Sequence, residues 1–429
     1  MYASPSRTVV LLGALIGTVQ LSAQAYSSYF TGNATDAVTT PQGGLCLMGG
    51  ATESDPAMVW FLQRATGGDV LVLRASGSDG YNDYFYTDLG VTVNSVETIV
   101  FNNATASSDP YVHQRIQQAE AIWFAGGDQW NYVSYWQGTA VDSLIREAIT
   151  QRNVVIGGTS AGMAILAGLR FTAQNGTVTS VAALNDPYAS NVTLDGSTFM
   201  DAPGMEGVIT DTHFDNPDRR GRLMTFIARS YVDNGSPAFG IACEEYVAVC
   251  IGDDGLAHVY GEYPDYDDFA WFVQANCGEA YPPEICTAGV PLTWDHFGMA
   301  VKACKVPGDV SGSNNFDLND RRTTVGGSWE DWSVENGSLT TSVGSVPDCS
   351  IGLQELQATE WRCVPMQYGA RLIGVEPNAE VRVMDLLGRS LPFTRARASG
   401  DDELHWTASA AVLVVVSEKE RQRTFLVGP

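Results

Sequence analysis

The hydrophobic residues between positions 43 and 160 fall into five short runs, separated by segments in which apolar residues recur at helical spacing. The predicted strands are 43–50, 69–74, 96–101, 121–125 and a fifth that begins at Val154. Buried strands that alternate with helices are typical of an α/β fold. The pattern therefore predicts a mainly parallel sheet with helices on both faces.

Three of these predicted strands end in paired glycines, at 49–50, 126–127 and 157–158. Ligands of open parallel sheets bind at the carboxyl ends of the strands. Glycine at such an end lets backbone N–H groups come close to a ligand. The sequence thus predicts a functional site at this edge of the sheet.

The pattern changes in the second half of the chain. Strand-like runs continue to about 306, so we predict a main α/β domain at 26–306. Gly, Ser, Asn and Asp are frequent at 307–348, which indicates a linker or an irregular extension. Apolar and polar residues alternate at 379–389, and strand-like runs follow at 411–416 and 424–427, so a small antiparallel β-domain is predicted at 349–429.

Residues 1–25 have the pattern of a signal peptide. Arg7 precedes an apolar stretch at 9–19, and Ala23-Gln24-Ala25 is a small-x-small cleavage site. The stretch is too short to span a bilayer comfortably, and no other stretch is long and apolar enough. We expect a secreted protein without a membrane span.

The formal net charge of −25 argues against nucleic acid or an anionic membrane as a partner. Eight cysteines in an exported chain favour disulfides, although their pairing stays open. Cys46 and Cys243 lie in apolar runs and are expected as buried thiols. The local bridges that spacing favours are Cys277 with Cys286 and Cys349 with Cys363.

Candidate chemistry centres on Ser160, in a G-x-S-x-G motif between a strand-like run and a small-residue helix start. This is the sequence pattern of a nucleophile elbow, although a glycine-rich turn in which serine caps the helix can have the same sequence. His213 lies at the end of the strand-like run at 208–214 and is the candidate base for the serine.

No metal or other cofactor is expected. Four side chains have a spacing similar to that of a calcium loop, but the segment lacks the required glycine and terminal glutamate, so a polar loop is favoured. These residues are Asp309, Ser311, Ser313 and Asp320.

Three motifs in order resemble the dipeptidase E/cyanophycinase family of serine peptidases, whose fold is similar to class I glutamine amidotransferases. They are Gly126-Gly127-Asp128-Gln129, Gly158-Thr159-Ser160-Ala161-Gly162 and Asp211-Thr212-His213-Phe214, followed by Arg219 and Arg222-Leu223. The resemblance covers about 43–306 and identifies 26–306 as a serine peptidase domain.

The resemblance implies hydrolysis next to aspartate, in Asp-X dipeptides or in β-linked Asp-Arg units. Ser160 would be the nucleophile and His213 the general base. Backbone N–H groups of Gly127 and Ala161 would form the oxyanion hole. The implied substrate-binding residues are Asp128, Gln129, Asp211, Arg219 and Arg222.

Two departures from the family pattern matter. The segment 171–177 contains no acid to support the histidine, so Gln174 becomes the expected third member, with Asp186 or Glu206 as alternatives. Pro217 stands where the cyanophycinase pattern has an arginine, which weakens the case for cyanophycin as the substrate.

Gln174 also motivates a rival hypothesis, a catalytically weak or inactive relative that binds acidic peptides. An amide cannot stabilise imidazolium as a carboxylate does. A partner protein similar to the glutamine amidotransferases is disfavoured, because Ser160 occupies the position expected to carry cysteine.

The C-terminal segment 376–389, together with the last strand, resembles the sorting domain of bacterial type IX secretion, which is favoured over a generic β-sandwich accessory domain. That resemblance implies export, contact with the secretion machinery and release from the cell or attachment to its surface. Besides these partners we expect a peptide substrate, and a homodimer stays open.

Overall fold

The computed structural model describes residues 24–277 and 281–347 and, in the last part of the chain, 362–366, 369–373, 375, 377, 379–398, 401–407, 412–418 and 421–427. Two compact units divide the chain, one ending at Val346 and the other beginning at Pro347. The signal peptide predicted at 1–25 falls almost wholly outside the described residues. None of the described helices has the length and apolar character needed to cross a membrane.

All seven described α-helices lie in the first unit, together with a π-helical turn at Tyr84–Asp88 and a 3₁₀ helix at Ala104–Ser108. They are α1 (Asp55–Arg64), α2 (Pro110–Gln118), α3 (Gln129–Trp136), α4 (Ala140–Arg152), α5 (Ala161–Ile165), α6 (Ser180–Asn185) and α7 (Arg220–Asn234).

Eighteen strands are described in the first unit. They are β1 (Tyr26–Gly32), β2 (Leu45–Met48), β3 (Asp69–Arg74), β4 (Ser95–Phe101), β5 (Ala121–Phe124), β6 (Val155–Thr159), β7 (Arg170–Phe171), β8 (Leu194–Asp195), β9 (Val208–Asp211), β10 (Phe239–Cys243), β11 (Ala248–Ile251), β12 (Leu256–Tyr260), β13 (Phe269–Ala275), β14 (Val301–Pro307), β15 (Asn315–Asp317), β16 (Thr324–Val325), β17 (Ser328–Glu335) and β18 (Ser338–Val343).

The five predicted strands form the parallel centre of a ten-stranded sheet, in the order β4-β3-β5-β6-β2. Alternate side chains of β2 face opposite sides. Leu45 and Leu47 pack with α2, α3, α4 and α5, whereas Cys46 and Met48 pack with α1. The predicted fold class, a mainly parallel sheet with helices on both faces, is confirmed.

A second sheet of six strands, in the order β18-β17-β14-β13-β10-β9, was not expected from the sequence. Its β9 and β10 are parallel, and its remaining pairs are antiparallel. The carboxyl ends of β9 and β10 therefore meet at one edge, where His213 and Glu245 follow the two strands.

The predicted linker at 307–348 is wrong for most of its length. β15 extends the first sheet through pairing with β12, and β17 extends the second through pairing with β14. Buried side chains explain the order of this segment, because Phe316 and Trp332 are fully enclosed despite the Gly- and Ser-rich composition around them.

The second unit contains two small antiparallel sheets, β19-β20-β23-β22 and β21-β24-β25, as expected for a C-terminal β-domain. Its strands are β19 (Arg362–Met366), β20 (Gly369–Ile373), β21 (Glu380–Asp385), β22 (Thr394–Ala398), β23 (Asp401–His405), β24 (Val412–Glu418) and β25 (Arg421–Val427).

The cysteines depart from the expected local bridges. Cys286 is a free thiol, so the predicted bridge to Cys277 is absent, and Cys349 lies outside the described residues. Cys46 and Cys243 are buried, as their apolar runs predict.

Candidate active site

Ser160 lies in a sharp turn between β6 and α5. Its φ of 51° and ψ of −112° are unusual for a residue with a side chain, as expected for a nucleophile elbow. Close packing requires the flanking glycines, since a Cβ on Gly158 would lie 2.6 Å from the carbonyl carbon of Gly162. The sequence pattern G-x-S-x-G is therefore used here as an elbow and not as an ordinary helix cap.

The Ser160 hydroxyl meets the imidazole of His213, with Oγ 2.8 Å from Nε2. On the other side of the ring, Nδ1 lies 2.6 Å from Oε1 of Glu245. An ionised carboxylate only accepts hydrogen bonds, so Nδ1 carries the proton and Nε2 is left to accept the proton of Ser160. We call Ser160, His213 and Glu245 the triad.

Glu245, and not Gln174, bonds the outer nitrogen of His213, so the prediction for Gln174 is wrong. Gln174 is exposed on a loop, where its backbone N–H donates to Thr172 Oγ1 at 3.4 Å. Neither alternative takes its place: Asp186 accepts the N–H of Gly289 at 2.9 Å, and Glu206 is exposed.

Glu245 lies 85 positions after Ser160, beyond the residues between Ser160 and His213 that the sequence offers as the supporting acid. The missed signal was the pair Glu244-Glu245 directly after the buried run that forms β10. A carboxylate at the carboxyl end of a strand that is parallel to β9 must lie near whatever follows β9.

The two glycines after β2, Gly49 and Gly50, form hydrogen bonds with the segments that carry His213 and Glu245. Gly49 O accepts the N–H of His213 at 2.9 Å, and Gly50 O accepts the N–H of Tyr246 at 3.1 Å. The backbone of Gly50 also lies directly against the imidazole of His213, where a Cβ would be 2.5 Å from Nε2. The φ of Gly50, +131°, further disfavours any side chain there.

Replacing Gly50 with alanine should lower kcat/KM about 100-fold, because the new methyl group must displace the His213 ring and misplacing a reacting group by about 1 Å costs that much. Steady-state kinetics with a circular dichroism check of folding would measure this. Gly80→Ala is the matched control, since its Cβ would meet no atom within 4 Å. Equal losses in both variants would contradict the steric account.

Asp211 and Arg222, two of the predicted substrate-binding residues, are paired with each other inside the protein. Arg222 Nε donates to Asp211 Oδ2 at 2.9 Å, and Arg222 Nη2 donates to Asp211 Oδ1. Both side chains are almost fully buried, and Arg222 also donates to Val178 O at 3.3 Å. Because their charges are satisfied internally, neither residue is available to a substrate, and this part of the prediction is wrong.

Replacing Asp211 with asparagine should lower the free energy of unfolding by about 3–5 kcal/mol, because the charge of Arg222 would stay buried without its partner. Urea denaturation would measure the loss. Asp218→Asn breaks an exposed ion pair with Arg220 and should cost less than about 1 kcal/mol. A comparable loss for the two variants would contradict the structural role of Asp211.

The other predicted substrate-binding residues lie at the edges of the site. Arg219 Nη1 donates to the carbonyl of Thr212 at 2.7 Å, which places its guanidinium beside the strand end that carries His213. Gln129 Nε2 donates to Phe171 O at 3.2 Å. Asp128 caps α3 by accepting the N–H of Trp130 at 2.9 Å. Arg219 and Gln129 thus stay candidates, whereas Asp128 has a structural task.

Further charged groups surround the triad. Asp215 Oδ1 accepts the backbone N–H of Glu245 at 2.9 Å and so fixes the turn after β10. Burial raises the pKa of Glu244 to about 7, and this carboxyl accepts hydrogen bonds from Trp271 Nε1 and from the N–H of Phe269. Burial also lowers the pKa of the Arg219 guanidinium. The triad acid therefore stands on a turn that is anchored on both sides.

The two predicted oxyanion-hole residues belong to the start of α5 and to the turn after β5. Ala161 is the first residue of α5 and follows Ser160 directly. Gly127 belongs to the turn after β5, in which a Cβ on Gly126 would lie 3.7 Å from Ser160 Cβ. Among the described residues, no group of three or more His, Cys, Asp or Glu side chains is arranged to hold a metal ion.

The chain is similar to one family of peptidases and to two solved peptidase structures. Residues 74–256 match Peptidase family S51, a segment that contains all three triad residues. Two solved structures are similar to this chain. One is a peptidase from an acI-B1 actinobacterium, with 13% identity over 52% of this chain and 89% of that chain and a TM-score of 0.38. The other is a putative peptidase E protein from Listeria monocytogenes, with 15% identity over 51% and 98% and a TM-score of 0.32.

No curated protein matches the chain. The matched segment of Peptidase family S51 covers somewhat less than half of the 429 residues, and it includes the strand–serine–helix turn, His213 and Glu245. Residues 74–256 are thus similar to Peptidase family S51, and the chain is a serine-type peptidase, that is, a hydrolase.

Proposed function

We propose that this peptidase is a secreted, cyanophycinase-like exopeptidase that hydrolyses peptide bonds next to aspartate through an acyl-enzyme on Ser160. The observation that carries the mechanism is the unbroken pair of hydrogen bonds from Ser160 to His213 and from His213 to Glu245. A nucleophile, a base and a group that orients the base are the parts that acyl transfer requires.

In the proposed reaction, Ser160 Oγ attacks the carbonyl carbon of the scissile bond while His213 Nε2 takes its proton. His213 then gives that proton to the leaving amine, and a water molecule releases the acyl group by the reverse sequence. Glu245 stabilises the imidazolium that forms and keeps the proton on Nδ1. Backbone N–H groups of Ala161 and Gly127 would stabilise the oxyanion.

The preference for aspartate rests on Arg219. Since Arg222 is occupied by Asp211, Arg219 is the family-motif arginine that is left to meet a substrate carboxylate. It makes one side-chain hydrogen bond, to Thr212 O, in the part of the chain that the structure describes, and the planar guanidinium can bind a carboxylate with further N–H groups. Asp-X peptides are therefore favoured over β-Asp-Arg units, in line with Pro217 in place of an arginine.

The rival, an inactive relative that binds acidic peptides, loses its main motive. It was based on Gln174 as a weak third member, and Glu245 now supplies a carboxylate at His213. Export remains part of the proposal on the basis of the N-terminal pattern and the sorting-domain resemblance. The antiparallel strands of the second unit are compatible with a sorting domain that would contact the secretion machinery.

A substrate panel tests the specificity. Purified full chain should cleave Asp-Ala about 10- to 100-fold more efficiently than Ala-Ala, the value of one charge-assisted contact. Arg219→Gln should abolish this preference through KM. The matched control is Arg220→Gln, because Arg220 is paired with Asp218. Equal cleavage of both peptides by the wild type, or an unchanged preference in Arg219→Gln, would contradict the proposal.

A further inference from the structure

Two buried cysteines face each other across strands that both lead into the active site. Cys46 of β2 and Cys250 of β11 are direct partners in the antiparallel register. Their thiols are unbonded in the structure, their sulfur atoms are 3.6 Å apart, and neither side chain is exposed. The pair was not among the bridges that sequence spacing favours, because 203 positions separate the two residues along the chain.

The backbone around this pair suits a disulfide. Residues directly opposite each other in an antiparallel ladder have Cα atoms about 4.5 or 5.5 Å apart, and disulfides span about 4.4–6.8 Å. The sulfurs need only approach each other by about 1.5 Å, which side-chain rotation can supply. We propose that Cys46 and Cys250 form a disulfide while the chain folds, with a small disulfide such as oxidised glutathione as the oxidant.

The reaction is two successive thiol–disulfide exchanges. One of the two cysteine thiolates attacks a sulfur of the oxidant, forms a mixed disulfide and releases one thiolate. The other cysteine then attacks the protein sulfur of the mixed disulfide and releases the second thiolate. Two protein thiols lose two protons and two electrons, and the oxidant is reduced to two thiols.

The bond must form before the strands are covered. In the folded chain Cys46 and Cys250 pack in one apolar cluster with Met58, Phe61 and Leu62 of α1, so no oxidant can reach them. Burial also raises the pKa of the Cys250 thiol well above its usual value, which leaves little thiolate to react. The same burial would protect a bond once formed against reduction.

The bond would join the two segments that support His213. Two residues after β2, Gly50 lies against the imidazole, and three residues before β11 stands Glu245, the acid bonded to Nδ1. Cys243 is not the partner, because it stands on β10 of the second sheet, where its sulfur faces the carbonyl of Leu47 at 3.7 Å. The disulfide would therefore connect the segment that contains Gly50, which lies against the His213 imidazole, to the segment that contains Glu245.

Peptide mapping tests the proposal. Full chain is refolded with a mixture of oxidised and reduced glutathione, alkylated under denaturing, non-reducing conditions, digested and analysed by mass spectrometry. The expected result is one linked peptide pair that contains Cys46 and Cys250 and disappears on reduction. The proposal would be overturned if both Cys46 and Cys250 of the refolded protein carry the alkyl group, which would mean that both were free thiols. A linked peptide pair that contains Cys46 and Cys243 would overturn it as well.

A stability measurement gives a second readout. Reduction during unfolding should lower the Tm of the wild type by about 5–15 °C. The double variant Cys46→Ala/Cys250→Ala should show no further change on reduction, whereas Cys304→Ala, which removes a buried cysteine of β14, should keep the wild-type response. A wild-type Tm that does not change with reductant would contradict the disulfide. If the double variant fails to fold, the peptide map of the wild type still tests whether Cys46 and Cys250 are linked.

Discussion

Replacing Ser160 with alanine should lower kcat about 10⁴- to 10⁶-fold on any peptide that the wild type cleaves, the range expected when a catalytic nucleophile is removed. The Ser160 hydroxyl contacts Nε2 of His213, and no other described side chain offers a hydroxyl to that nitrogen. The alanine keeps the positive φ of the turn and the packing of Gly158 against Gly162, so the fold should be unchanged.

Kinetics with Ser143→Ala as the matched control would measure this effect. Ser143 lies on the exposed side of α4, and its hydroxyl donates to the carbonyl of Thr139, the N-cap residue of that helix. KM should stay near the wild-type value in Ser160→Ala, because the variant loses chemistry and not substrate contacts. If the Ser160→Ala variant keeps a tenth or more of the wild-type kcat, the assignment of Ser160 as the nucleophile is contradicted.

Replacing Glu245 with glutamine should lower kcat about 10³- to 10⁴-fold with little change in KM. An amide in place of the carboxylate leaves the imidazolium without its compensating charge and lets the ring adopt the wrong tautomer. Glu245 is partly exposed, and its backbone is held by Asp215, so the substitution should not disturb folding.

Gln174→Ala is the sharp control for Glu245, because it tests the residue that sequence reasoning placed in the same role. Its kcat should equal that of the wild type, since Gln174 is exposed and lies away from the ring. The reverse outcome, a large loss in Gln174→Ala and none in Glu245→Gln, would mean that the triad differs from the one described. Thermal unfolding of both variants would separate catalytic from structural loss.

The sequence predicts the parts of the fold that local pattern determines. The five central strands have short apolar runs, three of which end in paired glycines, and Ser160 lies in a turn whose neighbours must be small. His213 was predictable as well, because it follows a buried run directly. In each case the signal lies within a dozen residues.

What escaped prediction depends on long-range pairing. Glu245 reaches His213 because β9 and β10 are adjacent in a second sheet, which is completed by strands in a Gly- and Ser-rich segment that reads as a linker. Asp211 and Arg222 stand eleven residues apart in a family motif and suggest ligand binding. Whether two opposite charges bind a ligand or form an ion pair with each other depends on their burial, which cannot be derived from the local sequence.

The central claim is that Ser160, His213 and Glu245 form a working acyl-transfer triad, and covalent labelling tests it most directly. A fluorophosphonate probe is incubated with the full chain, and the modified residue is identified by mass spectrometry. We predict one adduct, on Ser160, formed rapidly in the wild type, at least about 100-fold more slowly in Glu245→Gln and not at all in Ser160→Ala. Failure of the folded wild type to react, or an equal labelling rate in Glu245→Gln, would contradict the triad.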